Sequence, residues 1–360
     1  MQIKYEIAQE LKAKPQDESN LGFGKIFTDH MFIVRYDAEK GGWYDAKIEP
    51  LHNLSIHPAS PVLHYAQEVF EGAKAYRRPD GEIQSFRLHE NCKRMNRSAE
   101  RAAMPPLDED FQYEAIHRLI DLDRDWVPHN PGTSLYLRPT LIADGEGLGA
   151  SSAKKFIYFV ICAPSGAYYA GGMKPVRIRI ESHYARAVKG GMGSAKTGGN
   201  YAASFLATKK AQDEGFAQVL WLDGRTQTCV EEVGAMNMFF VIDGKLVTAE
   251  LGDTILPGIT RKSVIELAKQ KGMPVEERKI PVTELLEAHK DGRLTEAFGS
   301  GTAAVISPVG ELNFDGQAYI INNNEIGPVA HEFYDALTGI QFGTAADTMG
   351  WTDIVKHYER

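Results

Sequence analysis

Hydrophobic and polar positions change period several times along the chain, and each change predicts an element. Near the N-terminus, GFGKIFTDHMFIVRYD and GGWYDAKIEP predict two β-strands: Phe27, Met31, Phe32, Ile33 and Val34 suit a pleated surface, and Gly41-Gly42 punctuate them. Helical spacing takes over in HENCKRMNRSAERAAM, where Cys92, Met95, Ala99 and Ala102 share a stripe and Arg94, Arg97 and Arg101 spread around it. A second helix follows, with Ile116, Leu119 and Ile120 at i, i+3 and i+4. SLYLRPTLIAD and KFIYFVICAP then predict strands, the second so apolar that both of its faces must be buried.

PSGAYYAGGMKP breaks this pattern with prolines and glycines, which predicts a linker at 166–175 between an N-terminal, smaller α/β domain (1–165) and a larger C-terminal domain (176–360). Beyond the linker VRIRIESHY alternates as a strand, SFLATKKAQDEG predicts a helix closed by Gly215, and FAQVLWLDG predicts a buried strand. CVEEVGAMNMFFVIDGKLVTAEL predicts a hairpin turning at Asp243-Gly244. ILPGITRKSVIELAKQKG carries helix-entry chemistry at Pro257-Gly258 and a closing Gly272. LTEAFGSGTAAVISPVGEL predicts two strands around a tight Gly299–Thr302 turn, and PVAHEFYDALTGIQFG a final helix. Strands and helices mix without strict β-α-β alternation, so the fold class is α/β with mixed α+β character, in two domains.

Composition removes several function classes. The 360 residues are 43% hydrophobic and 24% charged, as in soluble globular proteins, and a net charge of −8 argues against a nucleic-acid partner. Cys92, Cys162 and Cys229 lie far apart without a C-x-x-C pair, which fits a reducing cytoplasm and neither a disulfide framework nor a zinc site. The N-terminus lacks the apolar run of a signal peptide, and no window approaches a membrane span. The 11 histidines show no metal-ligand spacing, so no metal is expected.

The chemistry concentrates in GGMGSAKTGGNYAASF (190–205), where Lys196 stands alone among small residues that leave room for an occupant. One reading is a phosphate-cradling loop of a nucleotide hydrolase: Gly190–Thr197 approximates G-x-x-x-x-G-K-T, and VLWLD ends at a potential magnesium ligand, Asp223. Against it, Ala195 replaces the second glycine, and Gly198-Gly199 are expected to break the helix that should follow the lysine. The other reading is a covalent bond from Lys196 to pyridoxal phosphate. That cofactor also needs a carboxylate for its ring nitrogen and donors for its phosphate. Glu231-Glu232 at the start of an apolar strand, the helix entry LPGIT and the GSGT segment supply candidates.

KTGGNY (196–201), QVLWLDG (218–224), EEVGAMN (231–237), LPGITR (256–261) and FGSGTAA (298–304) resemble the signature blocks of branched-chain amino acid aminotransferases, in the fold type IV group of pyridoxal phosphate enzymes. FGKIFTDHM (23–31), LHYAQEVFEGAKAY (63–76), NCKRMNRSA (91–99) and LYLRP (135–139) agree, so the resemblance spans nearly the whole chain in the family's order. It implies a two-domain architecture with the active site between the domains, and reversible transfer of the amino group of leucine, isoleucine or valine to 2-oxoglutarate, giving glutamate and a branched 2-oxo acid.

Carried onto this sequence, the resemblance implies that Lys196 bonds the cofactor's aldehyde carbon and, once displaced, shuttles a proton between the substrate Cα and C4′. Glu232 then pairs with the ring nitrogen and Tyr201 with the phenolic oxygen. Arg94, the Ile259 and Thr260 amides and Thr302 hold the phosphate. The Thr302 and Ala303 amides, with a hydroxyl from Tyr65 or Tyr136, bind the substrate α-carboxylate, and Phe23, Tyr65, Phe70, Tyr136 and Tyr168 form the apolar pocket. A pocket that also takes glutamate needs a cation for the γ-carboxylate; Arg138, two residues after Tyr136 and on the same strand face, is the candidate.

The sequence departs from the pattern in places: Ala304 and Ser307 stand where some relatives carry a C-x-x-C pair, and Ala235 where a hydroxyl is common. D-amino acid aminotransferases and aminodeoxychorismate lyases share the lysine and glutamate and remain alternatives. A homodimer is expected, with the loop near Gly149-Ala150 reaching the neighbouring site.

Overall fold

The computed structural model describes residues 1–168 and 172–360; residues 169–171, within the expected linker, lie outside the described part. Internal contacts divide the chain into two compact units, one of residues 1–170, 195–198 and 339–360, the other of residues 171–194 and 199–338. The lysine segment and the C-terminus thus group with the first unit.

In the first unit the described strands are β1 (Lys4–Tyr5), β2 (His30–Asp37), β3 (Gly42–Pro50), β4 (Glu68–Phe70), β5 (Ala73–Arg77), β6 (Ile83–Phe86), β7 (Ser134–Asp144), β8 (Lys155–Ser165) and a last strand at Thr352–Ile354. They form one sheet in the order β1-β3-β2-β8-β7-β5-β6 and the last strand, with β4 also on β7. α1 (Pro61–Tyr65), α2 (Leu88–Arg101) and α3 (Glu109–Leu122) belong to this unit. The stripes foreseen on α2 and α3 bury Cys92, Met95, Ala99, Ile116, Leu119 and Ile120 in one core with Phe32, Val34 and Val160. Met31 and Ile33 point to the other face and pack with Ile142 and Ile157. This is why FIV and FIYFVI show no alternation: both faces of the central strands are covered, although the β2–β8–β7 pairing is antiparallel.

β2 starts at His30, later than the pattern suggested, because the residues before it serve as anchors. The Asp29 carboxylate accepts the Lys12 amide at 2.7 Å and the Trp126 indole N–H at 2.6 Å. His30 Nε2 accepts the Ala8 amide at 3.0 Å, so the ring proton sits on Nδ1 and donates to buried Asp123 at 2.6 Å. These bonds tie down a polar N-terminus in which hydrophobic patterning showed no element.

The second unit holds β9 (Val176–Glu181), β10 (Gln218–Leu222), β11 (Val230–Val233), β12 (Met236–Ile242), β13 (Lys245–Ala249), β14 (Val275–Arg278), β15 (Leu294–Gly301), β16 (Val305–Phe314) and β17 (Gln317–Ile320). β11 pairs with both β10 and β12, so the path β11-β10-β9-β16-β15-β12 closes into a ring of six strands. Ile178, Leu220, Val233, Phe240, Ala297 and Val309, one from each strand of the ring, are buried in a common cluster. The helices are α4 (Gly198–Asp213), α5 (Ile259–Gln270), α6 (Val282–Lys290) and α7 (Pro328–Phe342). Among the described residues no helix is long and apolar enough to cross a membrane, and the three cysteines are free thiols.

The Asp243-Gly244 hairpin is present, both residues having positive φ (51° and 71°) as a two-residue turn requires. Two local expectations fail for identifiable reasons. α4 begins at Gly198, six residues before Ser204, with both glycines in its first turn. First-turn amides have no partner within the helix, and the Glu68 carboxylate accepts the Gly198 amide from outside. The predicted Gly299–Thr302 turn is instead the end of β15, and the chain reverses at Thr302–Ala304. A Cβ on Gly299 or Gly301 would lie 2.9 and 3.0 Å from the Met236 side chain, so these glycines make room for packing, not for a turn.

Candidate active site

Within the first unit the chain around Lys196 is fastened residue by residue. The Lys196 amide donates to Ser98 Oγ at 2.9 Å, and its carbonyl accepts the Phe70 amide at 3.0 Å. Thr197 Oγ1 donates to the Glu68 carbonyl at 2.7 Å. α2 and β4 therefore fix the backbone of the lysine on both sides, and its Nζ lies 4.8 Å from the centre of the Phe70 ring. A segment that composition alone marks as flexible is thereby held in one place.

Beside it lies a buried ion pair. Glu71 is fully buried, and Arg94 donates to its two oxygens from Nε at 2.7 Å and Nη2 at 2.8 Å. Asn91 Nδ2 adds a bond of 2.8 Å, and the Gly72 amide one of 3.1 Å. Burial pushes the Glu71 carboxyl up, but Arg94, Lys196 and Asn91 together outweigh it and hold the group below the usual carboxylate range. Two N–H groups of Arg94 are thus committed to Glu71.

The candidate pocket residues Phe23, Phe70, Tyr136 and Arg138 gather in this unit. Tyr136 and Arg138 share a face of β7, and Arg138 Nη2 donates to the Tyr136 hydroxyl at 2.9 Å. The Arg138 guanidinium stands 4.9 Å over the Phe70 ring, and Phe23 meets Tyr136 edge-on at 4.7 Å. Tyr65 is 44% exposed, its hydroxyl on the Leu148 carbonyl at 2.5 Å, and Tyr168 is 56% exposed. Gly72 is forced by this arrangement, because any Cβ there would strike the Tyr136 hydroxyl. Gly72→Ala must swing Tyr136 aside and break its bond to Arg138, so steady-state kinetics are expected to show kcat/KM lower by about tenfold, the equivalent of ~1.4 kcal/mol.

The second unit carries the remaining candidates. Glu232 is buried on β11; its Oε1 accepts the Leu256 amide at 3.0 Å and Asn237 Nδ2 at 3.2 Å, and Arg186 Nη1 lies 2.7 Å from its Oε2. Arg186 also donates to the Thr254 carbonyl at 2.9 Å. Glu232 and Tyr201 line one cavity of about 200 Å³ with Arg186, Asn200, Ser204 and Ala235. Glu231, next in the strand, points away and accepts the Thr254 hydroxyl at 2.6 Å; of the two neighbouring glutamates only Glu232 lines the cavity.

Pairing sets Glu232, Asn237 and Ser300 in a row across β11, β12 and β15. The Ser300 hydroxyl is buried and has no hydrogen-bond partner among the described residues. Thr302 and Ala303 follow at the β15–β16 reversal, which forces Val305, a β-branched residue, to a φ of 62°. α5 starts at buried Ile259 and Thr260 after Gly258, and no side chain caps it. An uncapped buried helix N-terminus presents free N–H groups to an anion. Ser300 with the α5 amides fits a phosphate, and Glu232 with Tyr201 fits a protonated heteroaromatic ring bearing a phenolic oxygen. Asp223, the metal ligand of the nucleotide reading, instead accepts the Thr226, Thr228 and Cys229 amides in its own turn.

Sequence reasoning missed Glu68, Glu71, Ser98, Arg186 and Asn237, and marked the GSGT segment as a donor without singling out Ser300. Only Glu71 and Ser98 carried a signal, as polar residues within FEGAK and on the apolar stripe of α2.

A family model described as amino-transferase class IV matches residues 68–312, and the chain belongs to that family. It is 50% identical over 350 residues to branched-chain-amino-acid aminotransferase 2 of Bacillus subtilis (strain 168), covering 97% of this chain and 96% of that one. The Escherichia coli branched-chain amino acid aminotransferase superposes with a TM-score of 0.75 at 28% identity, over 91% of this chain and 99% of that chain. A third branched-chain amino acid aminotransferase, from T.th. and solved with pyridoxamine 5′-phosphate, superposes with a TM-score of 0.73 at 29% identity, over 90% and 98% of the two chains. The protein is an aminotransferase, and each relative named here is a branched-chain one.

Proposed function

We propose that this aminotransferase exchanges the amino group of leucine, isoleucine or valine with 2-oxoglutarate, using pyridoxal 5′-phosphate bonded to Lys196. The observation that carries the reading is Glu232, a buried carboxylate fixed by Arg186, Asn237 and the Leu256 amide on the wall of the cavity that Tyr201 also lines. When bound, the cofactor supplies a conjugated ring that takes up the electron pair released at the substrate Cα. Glu232 holds a proton at the ring nitrogen, with Arg186, Asn237 and the Leu256 amide fixing the carboxylate. Tyr201 donates to the phenolic oxygen. The Ile259 and Thr260 amides, the Ser300 and Thr302 hydroxyls and Arg94 hold the phosphate. Lys196 Nζ moves the proton between Cα and C4′.

Phe23, Phe70 and Tyr136 receive the branched side chain, with Tyr65 and Tyr168 completing the pocket. Arg138 receives the γ-carboxylate of glutamate or 2-oxoglutarate. The Thr302 and Ala303 amides bind the α-carboxylate. Similarity over nearly the whole length to branched-chain enzymes supports this substrate class, and a cytoplasmic homodimer is the form proposed.

The test is the absorption spectrum of purified protein reconstituted with pyridoxal phosphate. A visible band that leucine bleaches and 2-oxoglutarate restores is the expected result. A band that ignores leucine and responds to D-alanine reassigns the protein to the D-amino acid branch, and no band after reconstitution overturns the cofactor.

A further inference from the structure

The reading above leaves one pocket with two incompatible guests, a branched apolar side chain and a carboxylate, and Glu68, so far only an anchor for the Lys196 segment, lies on the same strand face as Phe70. Glu68 is half-buried on β4, two residues before Phe70 and on the same strand face. In register, Glu68 and Phe70 oppose Ile142 and Thr140 of β7, the face that also carries Tyr136 and Arg138. The Phe70 ring separates two cations, with Arg138 at 4.9 Å and Lys196 Nζ at 4.8 Å from its centre. Lys196 acts electrostatically on Glu71, and Arg138 on Glu68, with no ion pair between Arg138 and Glu68 among the described residues.

Arg138 is only partly satisfied. One Nη donates to Tyr136, while its Nε is buried with no hydrogen-bond partner among the described residues. Glu68 is itself shared, since its Oε1 already accepts the Gly198 amide. Burial raises the Glu68 carboxyl, with the Gly198 amide and Arg138 pulling against it. A fully paired arginine could not release its partner for an incoming carboxylate, and a bare one would be left as a buried charge against an apolar side chain. A shared, half-neutralised arginine tolerates both.

We propose that Glu68 is the specificity-determining counter-charge of the pocket: by partly neutralising Arg138 it admits a branched apolar side chain and restrains binding of the dicarboxylate. The inference rests on the assignment of Arg138 to the γ-carboxylate. It predicts that removing the Glu68 charge shifts selectivity from branched acids toward dicarboxylates.

Glu68→Gln is the informative variant, because its amide oxygen still accepts the Gly198 N–H while the charge is gone. Two readouts apply to the reconstituted enzyme. Calorimetric binding of unreactive acids is expected to give a glutarate Kd about fivefold lower than wild type, as removal of one nearby like charge implies, and a higher Kd for 4-methylpentanoate, whose apolar side chain then faces a barer guanidinium. Steady-state kinetics are expected to give the same split, a lower KM for 2-oxoglutarate against a higher KM for 4-methyl-2-oxopentanoate. Equal shifts for both acids, or none for either, overturn the inference while wild-type exchange between leucine and 2-oxoglutarate continues. A wild-type enzyme that shows no such exchange overturns the underlying assignment as well, and Arg138→Leu with undiminished glutarate affinity overturns the role of Arg138 and the inference built on it.

Discussion

Lys196→Ala abolishes amino-group exchange: the expected loss is at least about 10³-fold in kcat with leucine, the scale of an essential proton-transferring nucleophile. The visible band of the reconstituted protein is expected to move in step, because the covalent bond that shifts the spectrum needs the amine. The fold is expected to survive. What fastens this segment is backbone and neighbouring side chains, namely the Lys196 amide on Ser98, its carbonyl on Phe70, and Thr197 and Gly198 on Glu68. Alanine keeps each of these bonds and removes the amine, which lies over the Phe70 ring and adds to the positive charge acting on Glu71. Rate loss with an unchanged denaturation midpoint is therefore the signature, and equal loss of stability and rate would instead mark Lys196 as structural. Lys196→Arg keeps the charge but loses the free amine, so it is expected to be as inactive as alanine.

Glu71→Ala has the largest expected effect on stability. Glu71 is the fully buried partner of buried Arg94, and its removal leaves a guanidinium with two lost bonds and no water to replace them. Breaking one side of such a pair costs about 3 to 5 kcal/mol, because the remaining charge stays desolvated. The Asn91 amide and the Gly72 N–H lose their acceptor at the same time. Urea denaturation measures this as a lower midpoint at unchanged slope. If Arg94 also holds the cofactor's phosphate, added pyridoxal phosphate recovers part of the loss, by supplying the missing anion and by binding the native state alone. A variant within about 0.5 kcal/mol of wild type contradicts the account of the pair, since that is the range of an ordinary surface substitution.

Much of the fold was legible where a local rule decides the outcome. The stripes of α2 and α3, the two-face burial of β8, the Asp243-Gly244 turn and the entry of α5 follow from period, burial and turn chemistry within a few residues. Misreadings fell where a partner distant in sequence changed the local rule. Gly198-Gly199 start a helix because a carboxylate 130 residues earlier accepts the first amide. Gly299 and Gly301 stay in a strand because Met236 occupies the space above them. The polar N-terminus is ordered because Asp29, His30 and Asp123 supply its hydrogen bonds.

The candidate site divides in the same way. The residue types a lysine-bonded cofactor requires, with their order along the chain, belong to the sequence: an isolated lysine among small residues, a glutamate opening an apolar strand, a helix entry after Pro257-Gly258 and a glycine-rich segment with hydroxyls, although that segment is a strand end and not the expected turn. Pairing decided the rest. Closure of the six-strand ring lines up Glu232, Asn237 and Ser300, and side-chain direction on β11 sends Glu232, not Glu231, into the cavity with Tyr201. Folding of β4 and α2 around 195–198 sets Ser98, Glu68 and Phe70 against a lysine about 100 residues away. Period and local chemistry act over a few residues and so are written in the chain, whereas the partners of Lys196, Arg94, Arg138 and Glu232 come from strands and helices that only long-range pairing brings together.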